Sequence, residues 1–108
     1  LVDGSLFFLH HYQGFLAQVR IATGREPHRA LRLEGLGNVY ASPVAAGGRL
    51  YVTDLEGATL VLGLGEPGAE PEVLALNRLD DAFSASAAVA GDALFLRGER
   101  FLYCLAAP

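Results

Sequence analysis

Few side chains in this chain have the type and spacing to do chemistry. His10-His11 lies near acidic segments, and imidazole with carboxylate is a common metal-ligand set. Adjacent residues on a strand point to opposite sides, so the pair serves one ion poorly and reads as turn histidines. Asp54 and Glu56 sit two apart before Gly57, too few oxygen donors for a calcium loop. A hairpin turn closed by a glycine at positive φ explains that segment. Asp80-Asp81 has the composition of a general acid and base, but no His neighbours it, and the sequence reads as two solvated carboxylates. Thr23-Gly24-Arg25 lacks the glycine spacing and the following helix of a phosphate loop and reads as a turn. Cys104 is the sole cysteine, so no internal disulfide forms, and its apolar strand, residues 101–105, predicts a small buried hydrophobe. No catalytic, metal or cofactor residue is expected in this chain.

The elements that position these residues repeat. Leu50-Tyr51-Val52 is matched upstream by Leu6-Phe7-Phe8 and downstream by Leu94-Phe95-Leu96, at a constant spacing of 44 residues. Ser42, Ala46 and Gly47 recur as Ser86, Ala90 and Gly91 at the same spacing. A fixed period of this size, carried by short strands, fits the four-stranded blade of a β-propeller. Strands are predicted over residues 5–9, 15–21, 26–33, 38–46, 49–53, 58–64, 71–79, 83–90, 93–96 and 101–105, and no helix is predicted. Pro27 confines the strand at 26–33 to a sheet edge. With the strands of a blade lettered from the axis outward, residues 1–37 supply B to D, residues 38–81 a complete blade, and residues 82–108 A to C. The expected fold is all-β, a partial propeller of about two and a half blades. With no Met at its start and no strand D at its end, the chain reads as the last blades of a longer protein.

Composition narrows the function classes. Apolar residues make up 52% and charged residues 19%, the balance of a folding chain. The net charge of −4 argues against a nucleic-acid partner, and no apolar run approaches the roughly 18 residues of a membrane span.

Several segments resemble the repeat of the PQQ-like, or quinoprotein-type, β-propeller family, which runs approximately S-P-V-x-x-x-G-x-V-Y-V-x-x-x-x-G-x-L-x-A-L-D-x-x-T-G-x-x-x-W. Ser42-Pro43-Val44, Gly48, Leu50-Tyr51-Val52 and Gly57 match its first half, and Gly14, Leu16 and Ala22-Thr23-Gly24-Arg25-Glu26 its second. The last unit keeps Ser86, Gly91 and Leu94-Phe95-Leu96 but has Ala87 in place of the proline, and His28 stands where the family has Trp. The family's dehydrogenases hold their quinone with aromatic stacking, an adjacent cysteine pair and calcium-ligating side chains. This chain has no Trp and a single Cys, and it looks more like non-catalytic relatives such as the periplasmic scaffold lipoprotein of the outer-membrane barrel-assembly machinery. The resemblance implies a binding or scaffold module in a periplasmic or extracellular setting. Its partners would be the remaining blades of the parent propeller and another protein or small ligand at one rim. The alternative it leaves open is the C-terminal part of a PQQ-dependent dehydrogenase whose cofactor site lies elsewhere. Up-and-down connectivity collects residues 10–13, 35–40, 54–56, 78–83 and 97–100 at one rim, where Tyr40, Arg78 and Arg97 are the candidate contact residues.

Overall fold

The computed structural model describes Val2 and residues 4–10, 15–66 and 69–106. The candidates His11 and Gly14 and the turn at Pro67-Gly68 lie outside the described residues. Ten strands are present: β1 (Ser5–His10), β2 (Phe15–Arg20), β3 (Leu31–Arg32), β4 (Val44–Ala46), β5 (Arg49–Thr53), β6 (Ala58–Gly63), β7 (Glu72–Arg78), β8 (Ala88–Ala90), β9 (Ala93–Arg97) and β10 (Leu102–Ala106). They form three antiparallel sheets in chain order, β1-β2-β3, β4-β5-β6-β7 and β8-β9-β10, none closed on itself. The fold is all-β, and no helix occurs among the described residues, so none there is long and apolar enough to cross a membrane.

Strand periodicity decides what each face of the middle sheet meets. Leu50 pairs with Leu62 and Val52 with Leu60, which puts four apolar side chains on one face. Together with Leu16, Leu33 and Val39 they form the buried core, and Phe7, Leu9 and Leu31 of the first sheet pack against it. Burial of each such aliphatic side chain contributes about 1.5–3 kcal/mol. The alternate residues Tyr51, Thr53, Thr59 and Val61 occupy the other face, toward the third sheet. The first and third sheets turn their outer faces away from the middle one. On the first sheet this leaves Leu6 and Phe8 42% and 38% exposed.

Several elements are shorter than the periodicity predicts. The strand expected at 26–33 is reduced to Leu31–Arg32, because the chain turns back at the Arg20 to Arg25 bridge and Pro27 follows. The strands expected at 38–46 and 83–90 begin only at Val44 and Ala88. The residues before them spend their backbone groups elsewhere. Asn38 accepts from Leu55 N–H at 2.8 Å, Ala82 accepts from Glu99 N–H at 3.0 Å, and Phe83 N–H donates to Leu55 at 3.1 Å. Cys104 is exposed rather than buried, since Tyr103 and Leu105 take the face toward the second sheet and Cys104 must take the other. Gln18 is 4% exposed and bonded to Ser5 Oγ at 3.0 Å and to His28 Nε2 at 2.8 Å.

The β5–β6 turn is the tightest point of the fold. Gly57 has φ +103°, and a Cβ there would overlap the carbonyl oxygen of Leu79, whose N–H donates to Gly57 O at 2.8 Å. Gly57→Ala is therefore expected to cost about 1–3 kcal/mol from backbone conformation alone, with the clash added to it. Urea denaturation of the variant beside Gly47→Ala, where a Cβ meets nothing within 4 Å, checks this. The excess loss belongs to Gly57.

Candidate functional site

The end of the sheets carrying the β5–β6 and β9–β10 turns is built on two buried carboxylates. Asp54 is 2% exposed, although it lies in a turn. Its Oδ1 accepts from Glu56 N–H at 3.0 Å and Ala58 N–H at 2.9 Å, and its Oδ2 accepts from Gly37 N–H at 2.9 Å. One side chain thus caps its own turn and ties down the segment that leads into the middle sheet.

The third sheet reaches the same result from the opposite partner. Residue 98, one period after Asp54, is glycine, while residue 81, one period after Gly37, is aspartate. Asp81 Oδ2 accepts from Arg100 N–H and Phe101 N–H, each at 3.1 Å, and from the Tyr103 hydroxyl at 3.2 Å. Its Oδ1 accepts from Ala82 N–H at 2.8 Å. A Cβ at Gly98 would overlap Asp81 Oδ2, so the glycine leaves the space that the carboxylate fills. The Asp and Gly have exchanged places across the contact, and the capping carboxylate is retained.

This corrects the reading of Asp80-Asp81 as two solvated carboxylates. The Asp81 side chain is 1% exposed, whereas Asp80 is fully open and meets the Arg100 guanidinium at 3.4 Å. Arg100 also donates to the Asp80 carbonyl and lies over the Phe101 ring, 5.6 Å from its centroid. Burial pushes the Asp81 carboxyl pKa up. The backbone N–H donors of Ala82, Phe101 and Arg100 and the Tyr103 hydroxyl outweigh it, and the net shift is downward. Tyr103 is pushed up, first by burial and then by its bond to the Asp81 carboxylate. A carboxylate so fully engaged serves structure and has no lone pair directed at a substrate. The exchange was open to discovery in the sequence, because comparing positions one period apart exposes the inverted Gly and Asp pairs.

Tyr40, Arg78 and Arg97 all lie beside these turns. Tyr40 follows the segment held by Asp54 and Leu55 and is 60% exposed. Arg78 closes β7 opposite Ala58, and Arg97 closes β9 opposite Leu102; both are exposed. His10 ends β1, and among the described residues no group of three or more His, Cys, Asp or Glu is arranged to hold a metal ion.

A second feature lies between the sheets. The middle and third sheets are joined near the turns, where Phe83 is fully buried and its ring lies 5.6 Å from that of Tyr103. Toward the opposite end they part around a cleft of about 620 Å³. Tyr51, Thr59, Val61, Asn77 and Leu79 line one wall, and Val89, Leu94 and Leu105 line the other. Sequence reasoning missed this cleft, since it depends on how two sheets sit against each other.

Compared with known proteins, the chain matches no family model and no curated sequence.

Asp54→Gly is expected to cost about 1–3 kcal/mol through the donors it strands, and adding Gly37→Asp to recover part of the loss, as the third sheet's arrangement implies. Chemical denaturation of the single and double variants measures the recovery. For Asp81 the folded pKa lies below the ordinary 3.8, so its contribution is complete above that pH and is lost as pH falls through the folded value. The stability of Asp81→Asn should therefore fall less steeply than that of the parent chain in acid below about pH 4; parallel denaturation curves at successive pH values would show otherwise.

Proposed function

We propose that this chain is a segment of a PQQ-like β-propeller and works as a non-catalytic binding or scaffold module. Its contact surface is the end bearing Tyr40, Arg78 and Arg97. The observation that supports this best is that contacts recur with the sequence period. Leu55 N–H to Asn38 O is repeated as Glu99 N–H to Ala82 O, and Ser42 N–H donates directly to Ser86 Oγ, its own counterpart 44 residues on, at 2.9 Å. Equivalent residues touching beside the first strands of successive sheets suit radial repetition.

The contact end has the character of an interface. Its turns are fixed by buried carboxylates and by Gly57, and the exposed side chains on this rigid frame include one aromatic and two arginines, the residue types that anchor protein interfaces. The opposite end offers the glycines of the β4–β5 and β8–β9 turns, Gly47, Gly48 and Gly91, which provide no side chain to a partner. In this reading the outer faces carrying Leu6, Phe8 and Leu102 meet the remaining blades of a parent propeller.

The test places a photo-crosslinking benzoylphenylalanine singly at positions 40, 78 and 97 of the full chain, expressed in cells of its own source. Gly48 and Asp92 serve as comparison positions at the other end. Discrete adducts confined to the first three positions are expected. Adducts distributed equally over both ends, or none at any position, would remove the binding reading, and tight stoichiometric binding of the quinone with calcium would favour the dehydrogenase.

A further inference from the structure

The cleft between the middle and third sheets has one mixed wall, where polar groups stand beside Val61 and Leu79, and one largely aliphatic wall. On the middle sheet, Thr59 and Asn77 stand side by side in register across β6 and β7, with Tyr51 and Val61 paired in the next row. Across the gap, Val89, Leu94 and Leu105 present aliphatic groups. Arg49 of β5 and Asp92 of the β8–β9 turn, both exposed and opposite in charge, also line it. The volume of about 620 Å³ lies within the range of small-molecule sites.

The mixed wall also holds a donor without an acceptor. Thr53 and Thr59 are 4% and 7% exposed, and their hydroxyl oxygens are 2.8 Å apart. Two hydroxyls bring two protons, and the bond between them uses one. Among the described residues no further hydrogen bond takes up the other. A buried donor left in this state is costly unless something outside the chain's own groups accepts from it, and Thr59 lines the cleft.

The geometry points to a small-ligand site in this cleft, selective for a facially amphipathic fused-ring molecule with hydroxyl groups on one face and hydrocarbon on the other. The hydroxyl face lies on Thr59, Asn77 and Tyr51; with Thr53 donating to Thr59, a ligand hydroxyl accepts the Thr59 proton. The hydrocarbon face lies on Val89, Leu94 and Leu105. A carboxylate tail, where the ligand has one, reaches Arg49. The site is separate from the end bearing Tyr40, Arg78 and Arg97, and neither depends on the other for its chemistry.

Cholate, deoxycholate and lithocholate carry successively fewer hydroxyls on one face of the same ring system, and are used below their micelle concentrations as probes against the full chain. Affinity should fall along that series, the reverse of partition into a greasy surface. Amide NMR shifts should concentrate at Tyr51, Thr59, Asn77, Leu94 and Leu105. Asn77→Ala, at an exposed strand position, and Thr59→Val should each weaken cholate by about threefold to tenfold while leaving lithocholate nearly unchanged, and Tyr40→Ala should change neither. Affinity rising toward lithocholate, cholate binding unaffected by Asn77→Ala, shifts centred outside the cleft, or no saturable binding below about 1 mM would each overturn the assignment.

Discussion

A turn that is buried must find acceptors for its backbone N–H groups, and in this protein a carboxylate provides them. Leaving such a donor unpaired costs about 1–3 kcal/mol, so the β5–β6 turn can sit among neighbouring segments only because Asp54 takes the donors of Glu56, Ala58 and Gly37. With those groups satisfied, the turn becomes a junction. Leu55 accepts from Phe83 and donates to Asn38, so the lead-in segments of the middle and third sheets are fixed to one residue. Gly57 brings the backbone of residue 79 closer than any side chain would allow. The placement of the third sheet follows from this junction.

The third sheet shows that the requirement lies with the acceptor and not with a particular chain position. Its β9–β10 turn has glycine where the middle sheet has Asp54, and the carboxylate arrives from the preceding segment as Asp81. Tyr103 adds a donor that the Asp54 site lacks, and its ring packs against Phe83 in the seam between the sheets. The same local need is met by two arrangements, each occupying the volume that a glycine leaves opposite.

The middle sheet is asymmetric, and this separates a tight contact from an open one. Leu50, Val52, Leu60 and Leu62 meet aliphatic neighbours and close into a continuous core. Tyr51, Thr59 and Asn77, beside Val61, face Val89, Leu94 and Leu105, with which they can exchange no side-chain hydrogen bonds. Polar groups do not gain by pressing against hydrocarbon, and a gap persists where the two walls face each other. The junction at Leu55 and Phe83 holds one end of that seam shut.

The amino-acid sequence by itself determined the all-β character, the absence of helix among the described residues, and most strand positions, because alternation and glycine turns are local properties. It also contained the 44-residue spacing that pairs Ser42 with Ser86. Its errors share a cause. Asp81 read as solvated and Cys104 as buried, and each depends on what lies across a sheet face or a turn. Asp81 is enclosed by the β9–β10 turn, and Cys104 shares a strand with two residues that claim the inner face. The strands at 38–46 and 83–90 came out short for the same reason, since Asn38, Ala82 and Phe83 bond to turns distant in sequence. Local pattern fixes which residues extend and which turn. Only the tertiary structure decides which polar groups are enclosed, because enclosure is made by segments that the pattern does not place.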